Sequence, residues 1–145
     1  MKPNPRKRLR RQAGVTLIEM LVVVTIIALF ATLVAPNIFK QSDKARVVAA
    51  QTQINNFLLG LAQYKMATGN FPTSEQGLEA LRTRPANANN WDGPYLRKEV
   101  PLDPWGNPYV YKFPSEHGDE PELISYGADG QPGGDGINAD IVSWK

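Results

Sequence analysis

The sequence predicts an α+β fold in which one long N-terminal helix, apolar in its first half and amphipathic in its second, packs on a small antiparallel sheet. Three observations predict it: an apolar run over 15–36 with a single charge, an apolar stripe at helical spacing over 47–64, and three short β-patterned runs after residue 108.

The apolar run is VTLIEMLVVVTIIALFATLVAP, and its one charge is Glu19. About 20 apolar residues rising 1.5 Å each match a hydrocarbon core of roughly 30 Å, so 15–36 reads as a transmembrane helix. Residues 1–14 before it form a basic leader, with Lys2, Arg6, Lys7, Arg8, Arg10 and Arg11 and no acid. Under the positive-inside rule that leader stays cytoplasmic and residues 37–145 form a domain on the outer side. An ordinary secretory signal has a shorter apolar stretch followed by a small-x-small cleavage site. Here Pro36 and Asn37 follow Val34 and Ala35 directly, and no such site is offered.

Beyond Pro36 the helix continues. Val47, Ala50, Ile54, Phe57, Leu58, Leu61 and Tyr64 recur at spacings of three and four, which makes one face that needs a cover. Gly69 suits a left-handed stop, and Pro72 prevents continuation. Thr73, Ser74, Glu75 and Gln76 read as a capping box opening a short helix, with Leu78 and Leu81 facing inward and Gly77 lowering its stability. The strands are expected at 109–113, 123–126 and 140–144. The DPWGNP segment at 103–108, with Pro and Gly around Trp105, reads as a rigid turn packed on the core.

Composition excludes several kinds of chemistry. The 145 residues contain no cysteine, so disulfide frameworks and thiolate catalysis are ruled out, and one histidine, His117, leaves little for zinc. His117 lies near Ser115, Glu116 and Asp119, but in a polar loop with no nucleophile turn, so no enzyme is expected. The formal charge of +2 comes from the leader: without it, ten Lys and Arg face 14 Asp and Glu, a net of −4. That leader has no aromatic interleaving and ends at an apolar helix, so it serves topology and not nucleic-acid binding.

Glu19 is the anomaly of the apolar run. A carboxylate inside such a helix costs about 2.5–3.5 kcal/mol on insertion scales, less near an end, and therefore calls for a partner. No basic residue occurs in the next twenty. A cut between Gly14 and Val15 would create one, a new α-amine four residues from Glu19. In a bundle of identical helices a neighbour's amine could serve instead, and that contact would specify the stagger between subunits. A Glu19 that only reaches toward headgroups is the plainer alternative.

Gly14 followed by VTLIEMLVVVTIIALFATLVAPN resembles the class III signal of type IV pilins and pseudopilins. That resemblance implies cleavage after Gly14 by a prepilin peptidase and N-methylation of Val15, where the family usually has Phe or Met. It assigns Glu19 to subunit registration and Pro36 to a helix kink. The soluble part narrows the resemblance. FPTSEQGLEAL (71–81), NWDGPYL (90–96), PLDPWGNPYVY (101–111), ISYGADGQPGGDG (124–136) and ADI (139–141) are similar, in that order, to the major pseudopilin of type II secretion systems. The implied fold is the pseudopilin fold. The implied role is a non-enzymatic subunit of a periplasmic filament that drives export of folded proteins.

The glycine-rich stretch after residue 126 admits two readings from its chemistry. Asp129, Asp135, Asn138 and Asp140 offer hard oxygen donors, and the glycines let backbone carbonyls turn inward, as calcium with six to eight oxygen ligands requires. A solvated turn uses the same residues, and no EF-hand spacing is present. The resemblance implies the calcium site, since major pseudopilins bind calcium in this C-terminal loop; the disulfide loop that type IV pilins often carry has no cysteine here to form it. It carries over Asp129 and Asp140 as side-chain ligands and the Tyr126 carbonyl. Asn138 or Asp135 completes the set, and Ser125 and Gln131 are further oxygen donors.

The partners that the resemblance implies are other copies of the chain, minor pseudopilins, the prepilin peptidase and an inner-membrane assembly platform. The implied location is a single pass through the bacterial inner membrane with the C-terminal domain periplasmic. Two alternatives remain from the residues: a type IV pilus subunit, which shares the helix but not the soluble motifs, and a monomeric membrane-tethered periplasmic binding domain.

Overall fold

The computed structural model describes residues 14–145, apart from the side chains of 33–40. The basic leader expected at 1–14 therefore lies, except for Gly14, outside the described residues, as do the side chain of Pro36 and the kink expected there. The chain divides into two compact units, Met1–Phe39 and Lys40–Lys145, and α1 (Leu17–Thr68) supplies helix to both.

In the first unit α1 starts at a Thr16 cap. Thr16 Oγ1 accepts a hydrogen bond from Glu19 N at 3.2 Å, and Thr16 O accepts one from Met20 N at 3.2 Å. Leu17, Ile18, Leu21, Val24, Ile27, Leu29 and Phe30 are all more than half exposed, so this apolar helix has no cover within its own chain among the described residues. Among those residues no helix is long and apolar enough to cross a membrane. The span expected over 15–36 includes positions 33–36, whose side chains are among those excepted.

The second unit is organised by the stripe on α1. Ala50, Ile54, Phe57, Leu61 and Tyr64 are buried and Val47 and Leu58 pack against them, as the three-and-four spacing predicts. Their burial supplies most of the driving force for covering the helix. The helix ends as expected: Gly69 has φ +90, and its N–H donates to Lys65 O at 2.8 Å, closing the last turn. Pro72 follows, and its carbonyl accepts the Tyr111 hydroxyl at 2.7 Å.

The capping box forms reciprocally, with Gln76 N donating to Thr73 Oγ1 at 3.3 Å and Thr73 N to Gln76 Oε1 at 2.9 Å. It does not open an α-helix. Gly77 turns to φ +58, which no right-handed helix accepts, and the chain continues as a single 3₁₀ turn, Leu78–Leu81. Leu78 and Leu81 are buried as the pattern requires. Leu81 O then accepts from Tyr95 N at 2.7 Å and Leu96 N at 3.2 Å, and Trp91 Nε1 donates to Ala80 O at 3.0 Å, which holds the following loop on this turn.

The sheet has three antiparallel strands in the order β1 (Val110–Lys112), β2 (Glu122–Ser125), β3 (Ile141–Val142). Val110 pairs with Ile124 and Lys112 with Glu122; Ile124 pairs with Val142 and Ser125 with Ile141. β1 and β3 are shorter than their β-patterned runs, while β2 keeps four residues but starts one position earlier than expected. Leu123 on the central strand is fully buried, and Tyr109, just before β1, meets Phe57 of α1 edge to face with ring centres 5.1 Å apart.

Candidate functional site

Two stretches carry candidate chemistry, one in each unit. At the N-terminus, Gly14 and Val15 precede the helix and Glu19 lies in its first turn. Thr16-x-x-Glu19 matches a capping box, of which the structure shows the half that Thr16 accepts. This local pattern was readable in the sequence beside the charge argument. A carboxylate in the first turn faces the positive end of the helix dipole, so its position is favourable before any partner arrives.

The second stretch is the loop between β2 and β3. After Tyr126 the chain makes a 3₁₀ turn, Gly127–Asp129, and later a second, Gly136–Asn138, and the two turns pack on each other. Glycine is required for this closure. Gly127 has φ +65, and a Cβ on it would lie 2.7 Å from Ile137 O and 3.1 Å from Ala139 O; a Cβ on Gly134, φ +86, would lie 2.6 Å from Asn138 O. Three backbone carbonyls, of Ile137, Asn138 and Ala139, thus crowd against glycine positions.

The expected ligand residues fall on this one loop. Asp129 Oδ1 accepts from Gln131 N at 3.1 Å, and both oxygens of Asp140 accept from Gly133 N, at 3.0 and 2.9 Å. Asn138 ends the second 3₁₀ turn, and Asp135 precedes it, its carbonyl accepting from Asn138 N at 3.1 Å. Ser125 is different: its hydroxyl is fully buried and donates to Asp103 Oδ2 at 2.6 Å, so this oxygen is engaged with the core. Among the described residues no three His, Cys, Asp or Glu side chains group as a metal centre. The loop's donor set is oxygen only: the carboxylates of Asp129, Asp135 and Asp140, the amide oxygens of Gln131 and Asn138, and backbone carbonyls. That chemistry fits a hard cation such as calcium and does not fit zinc.

Two residues that sequence reasoning did not single out belong to this arrangement. Asp103 and Asn107 of the DPWGNP turn reach β2 and the loop from about twenty residues upstream, Asp103 through Ser125 and Asn107 through Gly127 O at 2.9 Å. The turn reading itself holds, with Gly106 N donating to Asp103 O at 3.0 Å. An Asp followed three residues later by Gly signals the turn; nothing local signals that its carboxylate is buried.

His117 is placed beside a different carboxylate. Its Nδ1 lies 2.8 Å from Glu122 Oε1, and its ring stacks on Trp144 with centres 4.2 Å apart. Ser115 Oγ donates to the same Glu122 oxygen at 3.0 Å. The serine and histidine thus converge on one acceptor, and the hydroxyl is not aligned as a nucleophile on the imidazole.

Comparison with known proteins gives the family of the chain and a motif at its N-terminus. The family described as "Type II secretion system (T2SS), protein G" matches residues 37–144, and the "Prokaryotic N-terminal methylation motif" matches residues 9–35. The type II secretion system core protein G of Vibrio cholerae is 43% identical over 96% of each chain. That of Pseudomonas aeruginosa is 41% identical over 93% of this chain and 96% of its own. Among solved structures, the major pseudopilin of the type 2 secretion system of enterohaemorrhagic Escherichia coli superposes with a TM-score of 0.62 at 32% identity, covering 75% of this chain and 95% of that one. An apolar helix with a methylation motif, leading into a helix-and-sheet unit, defines a pilin-like subunit. The chain belongs to the type II secretion system protein G family.

Proposed function

We propose that this chain is the structural subunit of a type II secretion pseudopilus, and that processing, assembly and cation binding are divided among the stretches described above. The observation that carries the reading is the pair of adjoining family matches, which together run from residue 9 to residue 144. The family is structural, and its work is done by packing copies of itself and not by turning over a substrate.

Cleavage falls between Gly14 and Val15. Among the described residues a Cβ on Gly14 would meet nothing within 4 Å, so no described neighbour demands glycine there. A demand from the prepilin peptidase accounts for it. Methylated Val15 then begins the chain, and its amine carries the positive charge that Glu19 lacks. Between neighbouring copies this pair fixes the axial stagger, while the exposed side chains from Leu17 to Phe30 cover one another. Before assembly the same apolar helix holds the subunit in the inner membrane, with the second unit periplasmic; minor pseudopilins and an inner-membrane assembly platform are the further partners.

Asp129, Asp140, the Tyr126 carbonyl and Asn138 would hold calcium in the loop after β2, with Asp135 and Gln131 as further oxygen donors. When bound, the ion would supply positive charge that offsets the carboxylates of Asp129 and Asp140.

Glu19→Ala tests the assembly reading. The variant is expected to insert in membranes and accumulate normally, yet fail to form filaments or support secretion. Normal filaments and normal secretion in that variant would remove Glu19 from assembly.

A further inference from the structure

The 103–107 turn is tied to the cation loop at two points. Ser125 Oγ donates to Asp103 Oδ2 at 2.6 Å, and Asn107 Nδ2 donates to Gly127 O at 2.9 Å. These bonds bracket Tyr126, whose carbonyl is one of the donors assigned to the ion. A Cβ on Gly130 would lie 3.1 Å from Asn107 Oδ1, so the same side chain also lies against the residue after Asp129.

The turn is stiff enough to act as a support. Asp103 Oδ1 accepts from Trp105 N at 3.0 Å and from Asn107 N at 2.8 Å, while Asp103 N donates to Asn107 O at 2.8 Å. Both carboxylate oxygens are therefore engaged, and the residue is 5% exposed. Burying a carboxylate is costly unless it is hydrogen-bonded, and reversing the chain direction alone does not require one. What the burial achieves is a fixed link between the turn and the end of β2.

We propose that Asp103 and Asn107 are positioning residues for the cation loop: they hold Ser125, Gly127 and Gly130 so that the Tyr126 carbonyl and the Asp129 carboxylate are presented before the ion arrives. Neither is itself a ligand. The proposal rests on the calcium reading above. Outer groups that orient metal ligands change affinity by roughly 10–100-fold.

The test is calorimetric titration of calcium into the full processed chain in detergent micelles, with melting temperatures measured in chelator and in saturating calcium. Asn107→Ala is expected to weaken calcium binding about tenfold, and to shrink the calcium-dependent rise in melting temperature more than it lowers the melting temperature in chelator. Asn107→Asp keeps the shape and adds a negative charge near a cation, which by charge alone would tighten binding. Loss of the donor to Gly127 O makes it weaker, and weaker binding is the expected result. If Asn107→Ala does not fold, Asn107→Asp decides alone. Affinities at or above wild type overturn the proposal, whereas a wild-type chain without any calcium response overturns the calcium reading and the proposal with it.

Discussion

Glu122 Oε1 is an acceptor shared by four donors, and the His117 imidazole, 2.8 Å away, is the one that brings Trp144 with it. The others are Ser115 Oγ at 3.0 Å and the backbone N–H groups of Glu116 and His117, at 2.6 and 3.2 Å. Burial of Glu122 works to raise its pKa, but the bonds from His117, the Glu116 backbone and Ser115 outweigh it and hold the carboxyl at about 2, below its usual 4.5.

A depressed carboxyl pKa stabilises the fold above the unfolded value and ceases to do so as pH falls through the folded one. The melting temperature is therefore expected to fall between about pH 4.5 and pH 2 through this group. Glu122→Gln removes the titration, so its acid profile should be flatter over that window and its melting temperature lower at pH 7. Parallel acid profiles for the two proteins would separate the acid loss from Glu122.

Gly60 sits on the buried face of α1, and a Cβ there would lie 3.3 Å from Leu81 Cδ1 and 3.9 Å from Tyr95 Cβ. Alanine gains about 1 kcal/mol of helix propensity, which offsets the squeeze on a fully buried leucine. Valine adds two further methyl groups to the same gap and is expected to destabilise by about 1–3 kcal/mol. Urea unfolding of Gly60→Val against wild type measures this. An unchanged midpoint would mean that the 3₁₀ turn at Leu81 moves freely away from the helix.

Processing after Gly14 has a direct readout. Intact-mass measurement of the protein recovered from cells with an active prepilin peptidase should give a chain beginning at Val15, heavier by one methyl group. A chain that still begins at Met1 in those cells would contradict the processing scheme, and an unmethylated Val15 would contradict only the modification.

The parts of the fold that were legible in the sequence are those specified by neighbours in the chain. Spacing alone identified the buried face from Ala50 to Tyr64, because every member repeats on one helix. Gly69 was legible as a stop for the same reason. The capping box was read correctly and its consequence was not: Thr73 and Gln76 make their reciprocal bonds, but the backbone at Gly77 enters a conformation that continues as 3₁₀. β1 and β3 came out short because their ends have other tasks. Pro108 and Pro114 flank β1, and the Asp140 carboxylate turns to Gly133 N and leaves β3 to start at Ile141.

The candidate site was legible in its donors and illegible in its support. Asp129, Asn138 and Asp140 announce themselves as oxygen groups among glycines. Asp103 and Ser125 are 22 positions apart, and no local pattern states that one will bury the hydroxyl of the other. The same bond explains why Ser125, read from sequence as an oxygen donor for the cation, has its hydroxyl turned to the core.

The short sheet has a consequence for polymer growth. β1 offers three residues and β3 two, and the end of β1 is already occupied: Phe113 O accepts from Ser74 Oγ at 2.9 Å, and Phe113 N donates back to it at 2.8 Å. A foreign strand finds almost no free ladder to extend. A fibre of this protein would therefore owe its repeat to side chains interlocking along helices, and would lack the 4.7–4.8 Å meridional spacing of stacked strands.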